Sequence, residues 1–506
     1  MRQEIYKTIR LDTIFIKGLF LLWVVSGPFS TQAQRYDKQP ITALLGAFDE
    51  EVKLVQQSLK NPKTQTLNGI TFMTGQINGH DVVVAETGIG KVNAAMTTAF
   101  VLAYFKPKQV LFTGIAGGRL VGALIQALSM VLLARISGPS GFGIFAAAYG
   151  VGLVLQTILN FGFTPFLVRI RALGDQDPLI ASTLEFSRRA NLAVGALLAF
   201  TAAVAAVFEP KLWFVVPLTA WVVLDNYVET LLSLPLADGN TWQNAVSLLL
   251  RRALALVFVA AAWLAGVDAV FWYSVGLAFS SMIAVFVAIR LGPAITRVRS
   301  RRSYKSIIGK SSHFWLNSVA TQTRNFDVLL VGLVTSPAVS GIYGVTSRIT
   351  TPLRLIPTSF AAVLMPAAAR STTGRITQGI LRPAMYVCIA SAVIFGVIAA
   401  AIPVLVPPIL GDAYVDAVPV MQVVCFSLIF AAISSQLNAI LQGTGRVEIV
   451  SYITVVSTLI CLVGIVLAAP RYGALGAGWS LSLSYVLQTA LLTCVVVVAM
   501  RRDPHA

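Results

Sequence analysis

Residues 112–130 read FTGIAGGRLVGALIQALSM, and this stretch decides how the chain is divided. Its first part, FTGIAGG, has the pattern of a buried strand that runs into a glycine turn. The rest, RLVGALIQALSM, is typical of the inside of a lipid bilayer. No polar linker lies between the two patterns. The stretch therefore predicts a small α/β segment up to Gly118 and a membrane protein after it.

The composition is that of a membrane protein. The chain is 56% hydrophobic and 12% charged, with a mean hydropathy of +0.78, whereas a soluble domain is about 25% charged. The net charge is +17. Its basic residues fall in short loops between apolar runs, as the positive-inside rule produces, so we expect a lipid bilayer rather than a nucleic acid as partner.

Apolar stretches long enough to cross a bilayer, about 20 residues each, recur from Arg119 to the end of the chain. They predict a mainly α, polytopic membrane protein with about twelve transmembrane helices in two six-helix bundles, preceded by a truncated α/β half-domain. The predicted domains are a signal-like segment 1–34, an α/β fragment 35–118, and membrane bundles 119–300 and 301–506. The predicted spans are 119–136, 142–168, 191–208, 212–236, 246–265, 269–289, 314–334, 341–366, 384–404, 417–441, 449–468 and 475–499.

The distribution of lysine and arginine predicts the orientation of these spans. About 19 of them fall in alternate loops, at 169–190, 251–252, 290–310, 367–383, 442–448 and 500–506. The other loops hold Arg135, Lys211 and Arg471. Both ends of the twelve-helix unit are therefore expected on the cytoplasmic side.

The first 118 residues have a different pattern. Residues 1–34 combine a basic start with the apolar core GLFLLWVVSG (18–27) and small residues near Ala33, which predicts a cleaved signal peptide or, alternatively, a short membrane anchor. Residues 41–118 alternate strand and helix patterns. The predicted elements are strands at 41–47 and 109–114, helices at 49–60 and 90–105, and a hairpin over 69–88 with the turn Asn78-Gly79.

Three motifs carry a family resemblance, namely GAFDEEV (46–52), TGIGKVNAA (87–95) and TGIAGG (113–118). They resemble the first half of the methylthioadenosine/S-adenosylhomocysteine nucleosidases, which have the purine nucleoside phosphorylase fold. The resemblance implies that Glu51 positions an attacking water and that Thr87, Gly88 and Gly90 lie near the ribose. The family's purine- and ribose-binding carboxylates belong to a second half, which nothing after Gly118 resembles. We therefore expect a non-catalytic fragment, with a nucleosidase-like hydrolase as the alternative.

The membrane part carries a second resemblance, and its two halves share a motif: PSGFGIF (139–145) recurs as PAVSGIY (337–343). With LLARISGPSGFGIFAAAYGV (132–151), LQGTGR (441–446) and RYGALGAGWS (471–480), these residues resemble the polysaccharide and O-antigen flippases of the MATE-like superfamily. The resemblance implies alternating access in the bacterial cytoplasmic (inner) membrane, a polyprenyl-pyrophosphate-linked saccharide as cargo, and work alongside polysaccharide polymerase machinery. A multidrug exporter of the same fold is the alternative.

Charged residues inside predicted spans are the candidate site residues. Arg324 and Asp327, three apart, form either a cavity pair or a structural salt bridge. Arg348 and Arg354 are about 120° apart on a helix, so we expect at most one to face the cavity. Asp225 and Glu229 either couple transport to a proton or sodium ion, or lie near a helix end in water.

No cofactor or metal site is expected. The four cysteines, Cys388, Cys425, Cys461 and Cys494, lie singly in apolar runs, and the three histidines are scattered.

The two parts of the chain conflict in sidedness. A signal would export residues 35–118, whereas the loop charges require the residues before Arg119 to stay inside. The hypothesis that resolves this conflict is a chimera, in which each family's motif is cut short where the two meet.

Overall fold

The computed structural model describes residues 41–46, 52, 55–67, 70–77, 79–86, 97, 101–105, 107, 109–113, 115–172, 177–238, 241–291, 304–355, 357–358, 360–361, 364 and 378–501. Four residues predicted from the nucleosidase resemblance lie outside these described residues, as does the signal-like segment 1–34. They are Glu51, Thr87, Gly88 and Gly90.

The N-terminal segment forms a mixed five-stranded sheet with the order β2-β3-β4-β1-β5. Strand β1 lies between β4 and β5 and is parallel to both, whereas β2, β3 and β4 are antiparallel neighbours. Successive residues of β4, from Val82 to Ala85, are all buried, because apolar side chains pack on both faces of the sheet. The strands are β1 (Thr42–Gly46), β2 (Lys60–Leu67), β3 (Ile70–Ile77), β4 (His80–Glu86) and β5 (Gln109–Thr113).

The sequence predicted most of this sheet. Strands β1 and β5 and the β3–β4 hairpin are confirmed, and Gly79 in the hairpin turn has a φ of 79°. Strand β2 was not predicted, because KNPKTQTL has no apolar alternation and joins the sheet through its backbone pairing with β3. A polar strand of this kind suits the edge of a sheet, where charged residues and proline block further pairing.

The remainder of the described chain is helical. Helix α1 begins at Ile115, and a single residue separates it from the end of β5 at Thr113, so no longer linker joins the sheet to the first membrane helix. The helices are α1 (Ile115–Asn160), α2 (Phe163–Ala172), α3 (Asp177–Phe208), α4 (Val215–Ala237), α5 (Thr241–Ala265), α6 (Ala269–Leu291), α7 (Tyr304–Gln322), α8 (Asp327–Val334), α9 (Pro337–Thr350), α10 (Gln378–Leu410), α11 (Ala417–Gly443) and α12 (Val447–Arg501).

Helices α1 and α12 each fold back on themselves at a glycine. In α1 the amide of Gln126 donates a hydrogen bond to the hydroxyl of Tyr149 at 2.8 Å. In a straight helix those residues would be about 35 Å apart. The backbone reverses at Gly138, which has a φ of 65°. Helix α12 reverses in the same way at Gly473, so each helix consists of two antiparallel arms.

Eight helices in the described part of the chain are long and apolar enough to cross a membrane. Two of the eight are α1 and α12, each of which has two arms. The eight helices together therefore supply ten membrane-length arms. The predicted span 142–168 is wrong as a single helix, because Phe161 and Gly162 adopt positive φ and separate α1 from α2. A β-carbon makes such a φ unfavourable inside a helix.

The predicted seventh and eighth spans are built from shorter pieces. Helices α7 and α8 are joined by the 3₁₀ segment Thr323–Phe326, and α9 continues into the 3₁₀ segment Thr351–Arg354. These interruptions fall at Arg324 and Arg354, two of the predicted site residues. A break in a helix at membrane depth is tolerated where it lines a cavity.

The repeated Pro-x-x-x-Gly motifs pack against each other. A β-carbon on Gly143 would overlap the carbonyl oxygen of Pro337, and one on Gly341 would overlap the carbonyl oxygen of Pro139. The contact is reciprocal, since the proline of each motif meets the glycine of the other. The sequence repeat is therefore matched by a local two-fold relation between the starts of the second arm of α1 and of α9.

Further contacts close the same end of the bundle, which we call the closed end and define by Gly138 and Gly341. Arg135 donates to the carbonyl oxygens of Pro408 and Ile409, at 2.8 and 3.2 Å. The hydroxyl of Tyr414 donates to the carbonyl oxygen of Ala134 at 3.1 Å. Burial raises the pKa of Tyr414, so this hydroxyl stays protonated and keeps donating at neutral pH.

The glycine contact predicts a specific packing defect. We expect Gly341→Val to lower the midpoint of thermal unfolding of the detergent-purified protein, because the neighbouring atom is backbone and cannot move aside. Overpacking of this kind costs about 1–3 kcal/mol. Gly396→Val in α10 is the control, since a β-carbon there meets no described atom within 4 Å. Equal midpoints for the two variants would contradict the assignment of a close contact.

Candidate functional site

A cavity of about 730 Å³ lies between the two halves of the membrane domain. Residues from α1, α5, α11 and α12 line it, together with the interrupted helices α7, α8 and α9. Helix α11 runs away from the closed end, and its lining residues reach Gln442, one residue before the helix ends. The cavity therefore extends to the end of the bundle opposite the closed end.

The charged residues of this cavity are strongly unbalanced. Its described lining contains the four arginines Arg252, Arg324, Arg348 and Arg354 and a single acidic residue, Asp327. A cavity with this excess of positive charge inside a membrane domain is expected to attract anionic groups.

Two of the arginines share one aromatic ring. The guanidinium carbon of Arg324 lies 4.4 Å from the centroid of the Tyr485 ring, and that of Arg354 lies 5.4 Å from it. The ring face stabilises each cation through its quadrupole. Nε and Nη2 of Arg324 are buried and have no hydrogen-bond partner in the described structure. Stacking therefore holds the face of this guanidinium while its N–H edge stays available.

Arg348 is held in a similar way by an aromatic ring of α1. Its guanidinium carbon lies 5.6 Å from the centroid of the Tyr149 ring, and its Nη1 donates to Oδ1 of Asn325 at 3.2 Å. Tyr149 is itself fixed by stacking on Trp221, with ring centroids 4.7 Å apart. Nε and Nη2 of Arg348 are buried without a partner among the described residues. Arg348 and Arg324 thus both present unused donors.

The carboxylate of Asp327 already accepts hydrogen bonds from neighbouring residues. It accepts them from the hydroxyls of Tyr343 at 3.1 Å and Ser347 at 3.3 Å, and from the backbone N–H of Val328. No ion pair joins Asp327 to Arg324 in the described part of the chain, although both line the cavity. The structural salt bridge that the sequence left open is therefore absent among these residues.

The expectation that at most one of Arg348 and Arg354 faces the cavity is wrong, since both line it. The reason is the 3₁₀ segment Thr351–Arg354. An α-helix turns about 100° per residue and a 3₁₀-helix about 120°. With the change of helix type at Thr350, the two arginines come to lie about 40° apart instead of about 120°.

A second charged cluster lies in the first half, away from helix ends. Arg251 is buried, and its Nη1 and Nη2 donate to Oδ1 of Asp225 and, at 2.6 Å, to Oε1 of Glu229. The hydroxyl of Ser281 and the amide of Gln156 also donate to Asp225, at 3.2 and 3.4 Å. Asp225 and Glu229 lie in the middle of α4, so their predicted position near a helix end is wrong.

The predicted loop at Arg251 and Arg252 is wrong. Both lie in the interior of α5, Arg251 in the carboxylate cluster and Arg252 in the cavity wall. Counting loop charges hid them, although the apolar residues on both sides indicate a continuous helix. Tyr149 and Tyr485 were missed because an aromatic residue in a membrane span gives no signal of its own for a site.

In the part of the chain that the structure describes, no three histidine, cysteine, aspartate or glutamate side chains come together as a metal site. The cavity offers chemistry of another kind, with cationic donors on one side and amide and hydroxyl groups on the other.

Comparison with known proteins assigns the membrane part to a family. A match to the family described as polysaccharide biosynthesis protein covers residues 132–375 and 381–506, well over half of the chain. The chain belongs to the polysaccharide biosynthesis protein family. Residues 41–126 match a second family, the phosphorylase superfamily. This multi-pass membrane protein therefore carries a segment of another family at its N-terminus.

Solved structures show the same membrane fold. The inward closed conformation of the lipid II flippase MurJ aligns with a TM-score of 0.63 and 12% identity, covering 75% of this chain and 86% of that one. An inward-facing multidrug resistance MATE transporter aligns with a TM-score of 0.55 and 13% identity, covering 77% and 97%.

The N-terminal segment has curated relatives. A 5'-methylthioadenosine/S-adenosylhomocysteine nucleosidase from Bacillus thuringiensis (strain Al Hakam) is 46% identical over 76 residues. The match covers 15% of this chain and 33% of the relative. The chain thus spans about a third of the length of that nucleosidase.

The Arg251 cluster predicts a large loss of stability on mutation. Arg251→Leu would leave two carboxylates without their shared cation, and breaking a buried ion pair in this way costs about 3–5 kcal/mol. Arg189→Leu is the matched control, because Arg189 of the Arg189–Glu185 pair is about half-exposed, and ion pairs near the surface contribute about 0–1 kcal/mol. Chemical unfolding in detergent measures both. The double variant Asp225→Leu/Arg251→Leu should recover part of the stability that Arg251→Leu loses. If it recovers none, the Arg251–Asp225 pairing is contradicted.

Proposed function

We propose that the protein flips a polyprenyl-pyrophosphate-linked saccharide across the bacterial cytoplasmic (inner) membrane for cell-surface polysaccharide biosynthesis. The observation that carries this proposal is the cavity with four arginines, two of which present unpartnered N–H groups. A pyrophosphate cannot cross hydrocarbon unaided, because burying an unpaired charge is too costly. Guanidinium groups compensate it with charge-assisted hydrogen bonds, which are about twice as strong as neutral ones.

The architecture supports alternating access between two six-helix bundles. Ten membrane-length arms, together with the interrupted α7–α8 pair and α9, would make up the twelve predicted crossings. The loop charges assign the closed end to the periplasmic side. The cavity then faces the cytoplasm, the side on which a lipid-linked saccharide would be loaded. The lipid tail remains in the bilayer, and only the head group passes through the protein.

A multidrug exporter is less well supported by the same cavity. A cationic drug needs an available carboxylate, and Asp327 already accepts hydrogen bonds from Tyr343 and Ser347. The four arginines would repel such a cargo. An anionic cargo meets neither obstacle.

Coupling to an ion is a further part of this proposal. Asp225 and Glu229 share a single arginine, so the cluster has one uncompensated negative charge when both carboxylates are ionised. Glu229 is about half-exposed, whereas Asp225 is mostly buried. A proton or a sodium ion at Glu229 would balance the cluster without disturbing the Arg251–Asp225 pair.

The flippase proposal predicts that the arginines matter for anionic cargo. In proteoliposomes, we expect Arg324→Gln and Arg348→Gln to slow the flipping of a fluorescent polyprenyl-pyrophosphate-linked saccharide about tenfold to a hundredfold. A hydrogen bond to a charged group is worth about 1.5–3 kcal/mol. The accessibility of the labelled head group to an impermeant reductant measures the rate.

The matched control is Arg290→Gln, because Arg290 also stacks on an aromatic ring, that of Phe286, but does not line the cavity. It should flip at the rate of the unchanged protein. Unimpaired flipping by both cavity variants would overturn the proposal. If the protein transports a cationic drug, and both Arg324→Gln and Arg348→Gln still transport it, the result would instead support the multidrug exporter.

The nucleosidase alternative makes its own prediction. We expect no adenine release from methylthioadenosine that depends on Glu51, since the chain spans about a third of the nucleosidase relatives. Chromatographic detection of adenine, with Glu51→Gln beside the unchanged chain and a full-length nucleosidase as positive control, tests this expectation. Release by the unchanged chain that is lost in Glu51→Gln would show that the segment is catalytic.

A further inference from the structure

One wall of the cavity carries neutral polar side chains along helix α11. Ser434, Asn438 and Gln442 are spaced four residues apart, so they lie on one face of the helix, and all three line the cavity. The facing residues of α12 that line the cavity include Thr454, Thr458 and Gln488. We call these six residues the amide wall. None of the described lining residues of α11 or α12 is charged.

The hydrogen bonds of the amide wall are incompletely satisfied by the protein. Ser434 and Thr489 share a hydrogen bond of 2.8 Å, and the amide of Gln488 reaches Thr454 at 3.4 Å. Oδ1 of Asn438, however, is buried and has no partner in the described structure. A buried amide oxygen without a partner is unfavourable. An outside group that donates a hydrogen bond would relieve this at Asn438.

Arg348 and the amide wall occupy different depths of the cavity. Arg348 lies about 17 Å along α9 from Pro337 at the closed end, at 1.5 Å per residue. Ser434 and Gln442 lie about 25 and 37 Å along α11 from its start near Tyr414, at the same rise. Arg354, beyond the 3₁₀ segment, lies about 28 Å from Pro337, level with the first part of the amide wall. A ligand that spans the cavity would therefore meet Arg348 at one depth, and nearer the open end it would meet the neutral amides and hydroxyls of α11 and α12 with Arg354 beside them.

The chemistry of the amide wall fits a saccharide. Side-chain amides and hydroxyls both donate and accept hydrogen bonds, as sugar hydroxyls do. A phosphate prefers the arginines, and a cation finds no carboxylate on this wall. The wall also extends about 12 Å from Ser434 to Gln442, long enough to contact more than one sugar ring.

We propose that the amide wall is a saccharide subsite, distinct from the arginine site that binds the pyrophosphate. This inference rests on the proposed flippase function and divides its cavity into two parts. Asn438 and Gln442 then select for the glycan, while the arginines select for the anion.

Binding of two probes tests the division. One probe is polyprenyl pyrophosphate without sugar, and the other is polyprenyl pyrophosphate carrying a neutral disaccharide. We expect the double variant N438L/Q442M, with isosteric apolar side chains, to weaken binding of the disaccharide probe about tenfold and to leave the sugar-free probe unchanged. R324Q should weaken binding of both probes. Titration in detergent by fluorescence measures the affinities.

The control is Gln422→Met, a substitution of the same kind on the same helix. Gln422 donates to the carbonyl oxygen of Ala399 and does not line the cavity, so this variant should bind both probes normally. If N438L/Q442M is poorly folded, Q442M alone gives the same comparison. Equal weakening of both probes, or of neither, would overturn the subsite. Normal binding of the sugar-free probe by R324Q would instead overturn the flippase proposal. Binding of the disaccharide probe by N438L/Q442M would then still test the amide wall by itself.

Discussion

The cost of placing guanidinium groups inside a membrane domain governs this structure. An arginine at membrane depth is energetically unfavourable unless it is paired, hydrated or stacked. The protein stabilises its buried arginines in two ways. Arg251 is neutralised by Asp225 and Glu229 within the first half, where it holds α4 and α5 together. Arg324, Arg348 and Arg354 in the cavity are stacked on Tyr149 or Tyr485 instead. Stacking stabilises a cation without consuming its charge, so these arginines can still bind an anion, whereas Arg251 cannot.

The interrupted helices follow from the same requirement. A continuous α-helix would direct Arg348 and Arg354 to different sides, and the 3₁₀ segment Thr351–Arg354 brings both to the cavity. The segment Thr323–Phe326 does the same for Arg324, three residues before Asp327. Each break leaves backbone groups outside the regular helical pattern, which is acceptable only where they meet water, protein or ligand. The reciprocal Gly143–Gly341 contact at the closed end keeps the two halves packed while their other ends stand apart.

The sequence predicted the parts of the fold that depend on hydrophobicity and failed where geometry decides. Most membrane-length apolar runs, the turns near Gly138 and Gly473 and the hairpin at Gly79 have local signals, and the structure confirms these. Strand β2 has no apolar alternation, so nothing in KNPKTQTL distinguishes it from a loop. Arg251 and Arg252 were assigned to a loop because charge counts ignore helix continuity. The placement of Arg348 and Arg354 depends on a change of helix type that hydropathy does not report. The polar face Ser434–Asn438–Gln442 could have been found from its four-residue spacing alone.

The two edges of the N-terminal sheet explain why this segment contributes little to the membrane domain that follows. At one edge β2 carries lysines and a proline, residues that discourage further pairing. At the other edge β5, with the sequence QVLFT, pairs with β1 and with no further described strand. An apolar parallel strand normally lies inside a sheet, covered on both sides. In this chain β5 is followed after one residue by a membrane helix. The apolar edge at β5 thus closes a nucleosidase-like segment that spans about a third of the length of its curated relative, whereas the family match of the membrane part covers residues 132–375 and 381–506.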